Sequence, residues 1–147
     1  MSENKVGRPL MYKTAEEMQV VIDAYFNECK GRMLTDDEGV VCKDKYGLPI
    51  IVDARPLTIT GLALALGFNS RQALLNYQEK DEFHDTIMRA KAKVEQYAEE
   101  RLFDKDGANG AKFSLANNFN GWKEKKEIEA DVNNTVTINI ELEGDDE

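Results

Sequence analysis

The spacing of apolar residues changes period three times along this chain, and the order of those periods restricts the fold more than any single motif does. After Thr14, the residues Met18, Val21, Ile22, Tyr25, Phe26 and Cys29 recur three and four positions apart, as one helical face does. Thr14-Ala15-Glu16-Glu17 has the form of a capping box, in which the Thr14 hydroxyl accepts an early helical N–H and Glu17 reaches back to the cap. Gly31 ends the run. Between Met33 and Asp53 the helical spacing is lost. Val40, Val41 and Cys42, then Leu48, Ile50, Ile51 and Val52, flank Lys43 to Gly47, where Tyr46-Gly47 supplies a turn, and this predicts a β-hairpin. Pro49 makes its second strand an edge or delays its start. Asp36-Asp37-Glu38-Gly39 lacks the ligand alternation and terminal Glu of a calcium loop and reads as a turn.

Helical spacing then returns. Arg55-Pro56 ends the hairpin, and Thr58 or Thr60 can cap a short helix carrying Ile59, Leu62, Ala63 and Leu66, closed by Gly67. Phe68 packs beneath the turn, and Asn69 or Ser70 caps a second helix, Arg71 to Gln78. Its Leu74, Leu75 and Tyr77 point inward and leave Arg71, Gln72, Asn76 and Gln78 largely outward. Two short helices around a glycine corner predict a helix-turn-helix. A corner buried in a protein that touches no nucleic acid would show the same apolar pattern, so the outward residues carry the reading. Arg suits guanine O6/N7, Gln and Asn suit the adenine edge, and Ser suits phosphate. No acid occurs from Thr58 through Gln78 in a chain with 28 Asp and Glu, as a surface approaching phosphates requires.

Asp81 is expected to cap a long helix reaching about Asp104, with Phe83, Ile87, Ala90, Val94, Tyr97 and Leu102 as its apolar stripe. Arg89, Lys91 and Lys93 read first as a solvated face balancing Glu95, Glu99 and Glu100, with phosphate contact as the alternative. Gly107 to Ser114 contains Gly, Lys and Ser at the wrong spacing for a phosphate loop. A short helix with Phe113, Leu115, Ala116 and Phe119, closed by Asn120-Gly121 and anchored by Trp122, accounts for it better. Finally Val136, Ile138, Ile140 and Leu142 alternate with Thr135, Thr137, Asn139 and Glu141, the period of a half-buried strand. One strand cannot stand alone. It must pair with the hairpin or with copies of itself from other subunits.

The fold class that follows is mainly α with a β-hairpin: a flexible basic arm over 1–13, an N-terminal helix, hairpin and helix-turn-helix over 14–80, a helical core over 81–126, and a C-terminal strand with an acidic tail over 127–147. A chain of 147 residues suits one core. The net charge of −9 is concentrated. Nearly all of it lies after residue 126, so an acidic total does not exclude nucleic acid binding by the body. Lys5, Arg8 and Lys13 make the arm basic; it can touch phosphates, or it is a terminus that happens to be basic. Cys29, Cys42 and His84 are too few for a four-ligand Cys/His zinc site, so no metal or other cofactor is expected. The cysteines read as packing residues and His84 as a solvent-facing helix residue. No apolar run approaches the roughly 20 residues of a membrane span, and a cytosolic chain without membrane contact is expected.

In this order the parts resemble the small terminase subunits, the DNA-packaging proteins of tailed bacteriophages. The likeness is carried by Leu57-Thr58-Ile59-Thr60-Gly61-Leu62-Ala63-Leu64-Ala65-Leu66-Gly67-Phe68, by Ser70-Arg71-Gln72-Ala73-Leu74, by the Arg89-Ala90 region, and by Ala111-Lys112-Phe113 through Gly121-Trp122-Lys123. The resemblance implies a non-enzymatic ring, roughly eight to eleven subunits, that binds double-stranded viral DNA at a packaging site. It also implies that the ring recruits and regulates the large ATPase and nuclease subunit. Carried over by position, Asn69, Ser70, Arg71, Gln72 and Asn76 face DNA, Thr58 and Thr60 lie near the backbone, and Lys5, Arg8 and Lys13 form the arm. Ile87, Val94, Tyr97, Val136, Ile138, Ile140 and Leu142 join subunits, the last four in a central barrel. The rivals are a dimeric helix-turn-helix transcription regulator reading half-sites one helical turn apart and an adaptor that binds only protein. An enzyme is disfavoured, because no nucleophile, histidine or phosphate cradle stands near Glu95, Glu99 and Glu100.

Overall fold

The computed structural model describes residues 11–123. In chain order these form α1 (Ala15–Cys29), β1 (Arg32–Met33), β2 (Ile51–Val52), α2 (Ile59–Ala65), α3 (Arg71–Gln78), α4 (Asp81–Arg101) and α5 (Ala108–Asn118). The chain is mainly helical with one small antiparallel hairpin, as its apolar periods predict. The alternating segment Val136 to Leu142 lies outside the described residues.

Helix α4 is the spine, packing against α1, α3 and α5. Met18 and Ile22 of α1, Leu62 of α2, Leu74 of α3, and Phe83 and Ile87 of α4 meet in one cluster and are essentially sealed from solvent. Each such side chain contributes about 1.5–3 kcal/mol by leaving water. Ile87 and Val94 are therefore enclosed by their own chain, which corrects their assignment to a subunit interface. A residue that fills its own core has no surface left to offer a neighbour.

The helix ends show why the breaks fall where they do. Thr14 Oγ1 accepts the Glu17 N–H at 3.2 Å, while Glu17 Oε2 accepts from the Lys13 N–H at 3.1 Å, one residue further back than a capping box has it. Gly31 sits at φ +80°, with the Val52 carbonyl where a Cβ would be. Asp81 does not cap α4. Lys80 holds the cap position without a side-chain bond, and Asp81 and Glu82 occupy the first turn, where carboxylates favour the positive end of the helix dipole. The helix stops at Arg101, whose guanidinium is held by Asp104 at 2.7 Å and by the Tyr97 hydroxyl. In α5 the buried residues are Ala111 and Leu115, so Phe113, two positions from each, faces outward and is 73% exposed.

The hairpin differs from the expected two strands. Arg32–Met33 pairs with Ile51–Val52, a partner that the sequence pattern did not reveal. Between them the chain folds through two eight-residue units that repeat each other. Asp36 Oδ1 accepts from the Glu38 and Val40 N–H groups, and Asp44 Oδ1 accepts from those of Tyr46 and Leu48. Gly39 and Gly47 close the two turns at φ +83° and +79°. Three residues eight apart then bond cyclically: the Leu34 N–H to the Ile50 carbonyl, the Ile50 N–H to the Cys42 carbonyl, and the Cys42 N–H to the Leu34 carbonyl.

Candidate nucleic-acid interface

Helices α2 and α3 meet at a corner set by three local devices. Thr58 Oγ1 caps α2 by accepting the Gly61 N–H at 2.9 Å, and Ser70 Oγ caps α3 by accepting the Ala73 N–H at 3.1 Å. Between them Gly67 adopts φ +88°, the left-handed region a helix terminator needs. Phe68 is buried there with its ring 5.1 Å from that of Tyr77. Of the alternatives left open for each cap, Thr58 and Ser70 are the ones used, and Thr60 and Asn69 stay exposed.

The residues expected to face DNA within the described chain, Thr58, Thr60, Asn69, Ser70, Arg71, Gln72, Asn76 and Lys13, are all solvent-exposed. Lys5 and Arg8 lie outside the described residues. Gln72 Nε2 donates to Asn76 Oδ1 at 3.0 Å, which aligns two amides on one helical face. Arg71 has no hydrogen bond or ion pair among the described residues. Its guanidinium is therefore free to meet an anion.

Two further groups belong to this surface, and the spacing of residues along the chain could not supply them. Lys91 of α4 crosses to α3, its Nζ donating to Gln78 Oε1 at 2.9 Å. Burial first, and then the neighbouring Arg71 guanidinium, hold the Lys91 ammonium below the usual lysine range, against an opposing pull from Glu95. Two cations brought together with no acid bonded to either are poised for a phosphate. The second group is the start of the described chain. The Tyr12 hydroxyl donates to the Leu66 carbonyl at 2.6 Å, and the Tyr12 N–H and carbonyl both bond the Tyr77 hydroxyl, which pins this residue against the corner. The backbone at Tyr12 is thus held beside α3.

Tyr97 is half-buried, its hydroxyl accepting from Arg101. His84 is exposed and Cys29 buried, while Cys42 sits partly buried in the hairpin. Trp122 closes the described chain by donating from Nε1 to Glu95 Oε2 at 2.9 Å. Among the described residues no group of three His, Cys, Asp or Glu could hold a metal ion, and no helix is long and apolar enough to cross a membrane.

No curated protein and no solved structure matches this chain. A family model, DNA-packaging protein gp3, matches residues 7–128, which takes in every described element. The chain belongs to the DNA-packaging protein gp3 family of phage, and its role lies in phage DNA packaging.

Proposed function

We propose that this chain is a terminase small subunit that binds double-stranded viral DNA through the α2–α3 corner, used as a helix-turn-helix. In this reading α3 enters the major groove, with Arg71, Gln72 and Asn76 reading base edges and Asn69, Ser70, Thr58 and Thr60 near the sugar-phosphate backbone. Lys91, Lys13, and the arm bearing Lys5 and Arg8 contact phosphates. The observation that supports it most is the exposed, acid-free face of α3 with an unpaired Arg71. One arginine is a weak footprint, so the function calls for multivalency: copies on a ring hold DNA together by avidity.

Ring assembly draws support from two exposed aromatics, one in the turn between α4 and α5 and one on α5. Phe103 is 89% and Phe113 is 73% exposed, surfaces a solitary chain would leave in water. The ring then recruits the large ATPase and nuclease subunit in the host cytoplasm and modulates it, acting itself by binding and without hydrolysis.

Native mass spectrometry combined with a salt-dependent gel shift tests this. A closed assembly of roughly eight to eleven chains, whose DNA affinity falls steeply with salt, is the expected result. A dimer reading two half-sites would replace the packaging reading with a transcription regulator, and salt-independent absence of binding would replace it with a protein-only adaptor.

A further inference from the structure

A groove runs between α1 and α4 on the side of α4 away from α3. Lys91 reaches α3, whereas Lys93, two positions on and so on the opposite helical face, lies over the Phe26 ring of α1 with its Nζ 5.9 Å from the centroid. The groove opens into a cleft of about 280 Å³ with Phe26, Leu57 and Tyr97 as partly buried apolar floor and Lys30, Arg55 and Lys93 at its rim. Arg55 is paired with Glu28 at 3.1 Å. The side chains of Lys30 and Lys93 have no hydrogen bond or ion pair among the described residues. The arrangement is an apolar trough with two unpaired ammonium groups above it.

One segment of the chain matches that chemistry. Residues 127–147 carry eight acids and no base, and within them Val136, Ile138, Ile140 and Leu142 alternate with polar residues before Glu143, Asp145, Asp146 and Glu147. In extended form such a segment presents apolar side chains to one side and ends in carboxylates. It can also reach. The described chain ends just past Trp122, which is bonded to Glu95 near the middle of α4. The residues from Lys123 to Val136 can span ~40 Å, more than the ~30 Å length of a helix like α4.

We infer that the chain's own C-terminal segment, Val136–Glu147, docks in the α1–α4 groove, its apolar residues on Phe26, Leu57 and Tyr97 and its carboxylates on Lys30 and Lys93. This goes beyond the DNA-binding reading and gives the alternating segment a partner other than its copies. A DNA duplex is the poorer occupant, because a cleft of this size with an apolar floor admits side chains rather than a double helix.

Carbodiimide cross-linking of the full chain, mapped by mass spectrometry, tests the docking. The expected products join Lys30 or Lys93 to Glu141, Glu143, Asp145, Asp146 or Glu147. Their yield should fall at least about fivefold near 1 M salt, where the screening length shrinks to about 3 Å. Products confined to other lysines, such as Lys43, Lys45 or Lys105, would overturn the inference. In a second measurement, Lys30→Gln with Lys93→Gln should leave duplex DNA affinity within about twofold. A loss of about tenfold or more would identify the groove as a phosphate track and overturn it too.

Discussion

Tyr12 and Tyr77, 65 residues apart, exchange two hydrogen bonds through one atom: the Tyr77 hydroxyl accepts the Tyr12 N–H at 3.1 Å and donates to the Tyr12 carbonyl at 3.2 Å. The pair ties the start of the described chain to the C-terminal end of α3, with the rings edge-on at 6.3 Å. On the DNA-binding reading, an arm preceding Tyr12 would start from beside α3. Tyr77→Phe keeps the ring and strands two buried backbone groups, an expected loss of about 1–3 kcal/mol in urea unfolding. If the arm works beside α3, the same variant also weakens DNA binding at temperatures where it remains folded. Unchanged binding would separate arm and corner.

Gly61 is fixed by a close approach and not by a turn. It lies inside α2 with the Tyr25 hydroxyl and Thr58 Oγ1 where a Cβ would stand. Tyr25 in turn accepts the Thr58 N–H at 3.2 Å. Gly61→Ala should cost about 1–3 kcal/mol by overpacking, and Tyr25→Phe should recover part of that cost by removing the obstructing oxygen. Additive effects in the double-mutant cycle would show that the two residues do not compete for one space.

On the DNA-binding reading, Arg71→Ala with Gln72→Ala removes the main base-reading groups while touching no buried side chain. Affinity should fall by about tenfold or more, since a good bidentate contact is worth about 1–3 kcal/mol, and the oligomeric mass should not change. An unaltered gel shift would move the DNA surface away from α3.

How much of this was legible in the sequence depended on whether a feature was local. The helices and the terminating glycines follow from residues within a few positions of one another and were readable, while each cap of the corner was narrowed to two neighbouring candidates, of which Thr58 and Ser70 are used. The outward placement of Arg71, Gln72 and Asn76 follows from helical period alone. By contrast, Lys91 joins the α3 surface only because α4 packs across α3, and Tyr12 joins it only through Tyr77. Ile87 and Val94 fitted an apolar stripe, but a stripe does not say whether the same chain or a second one covers it. The hairpin was legible in part: its turn at Tyr46-Gly47 is bridged by Lys43 and Pro49 as the pattern suggests, but β1 is only Arg32–Met33, too short to show alternation, and its partner lies 18 residues on.

The repeated turns of that hairpin make a quantitative demand. Asp36 and Asp44 each accept two backbone N–H groups through Oδ1, at 2.9 and 2.9 Å for one and 2.8 and 3.0 Å for the other. Asp36→Ala and Asp44→Ala should therefore cost nearly equal amounts, about 0.5–1.5 kcal/mol for each net bond lost. Asp→Asn at either site should be milder, because an amide oxygen still accepts. Hydrogen exchange should show the loss within residues 32–52 while the Phe83 and Ile87 core stays protected. Markedly unequal costs for the two sites would mean that the repeat is one of backbone shape only.

The lowered proton affinity of Lys91 sets a sign for the pH dependence of DNA binding. In the free protein, burial and the nearby Arg71 favour neutral Lys91 at a pH where ordinary lysines are still charged. A phosphate restores the charged form, so binding takes up a proton once pH passes that lowered value, and affinity must fall as pH rises through it. For folding the sign is opposite: the unfolded chain holds the extra proton, so this group adds stability as pH rises. Followed as pH rises toward the ordinary lysine value near 10.4, wild-type affinity should decline before that value is reached, while Lys91→Arg, always charged, stays flat. Parallel curves for the two proteins would remove Lys91 from the interface and return it to the role of a helix-packing residue bonded to Gln78.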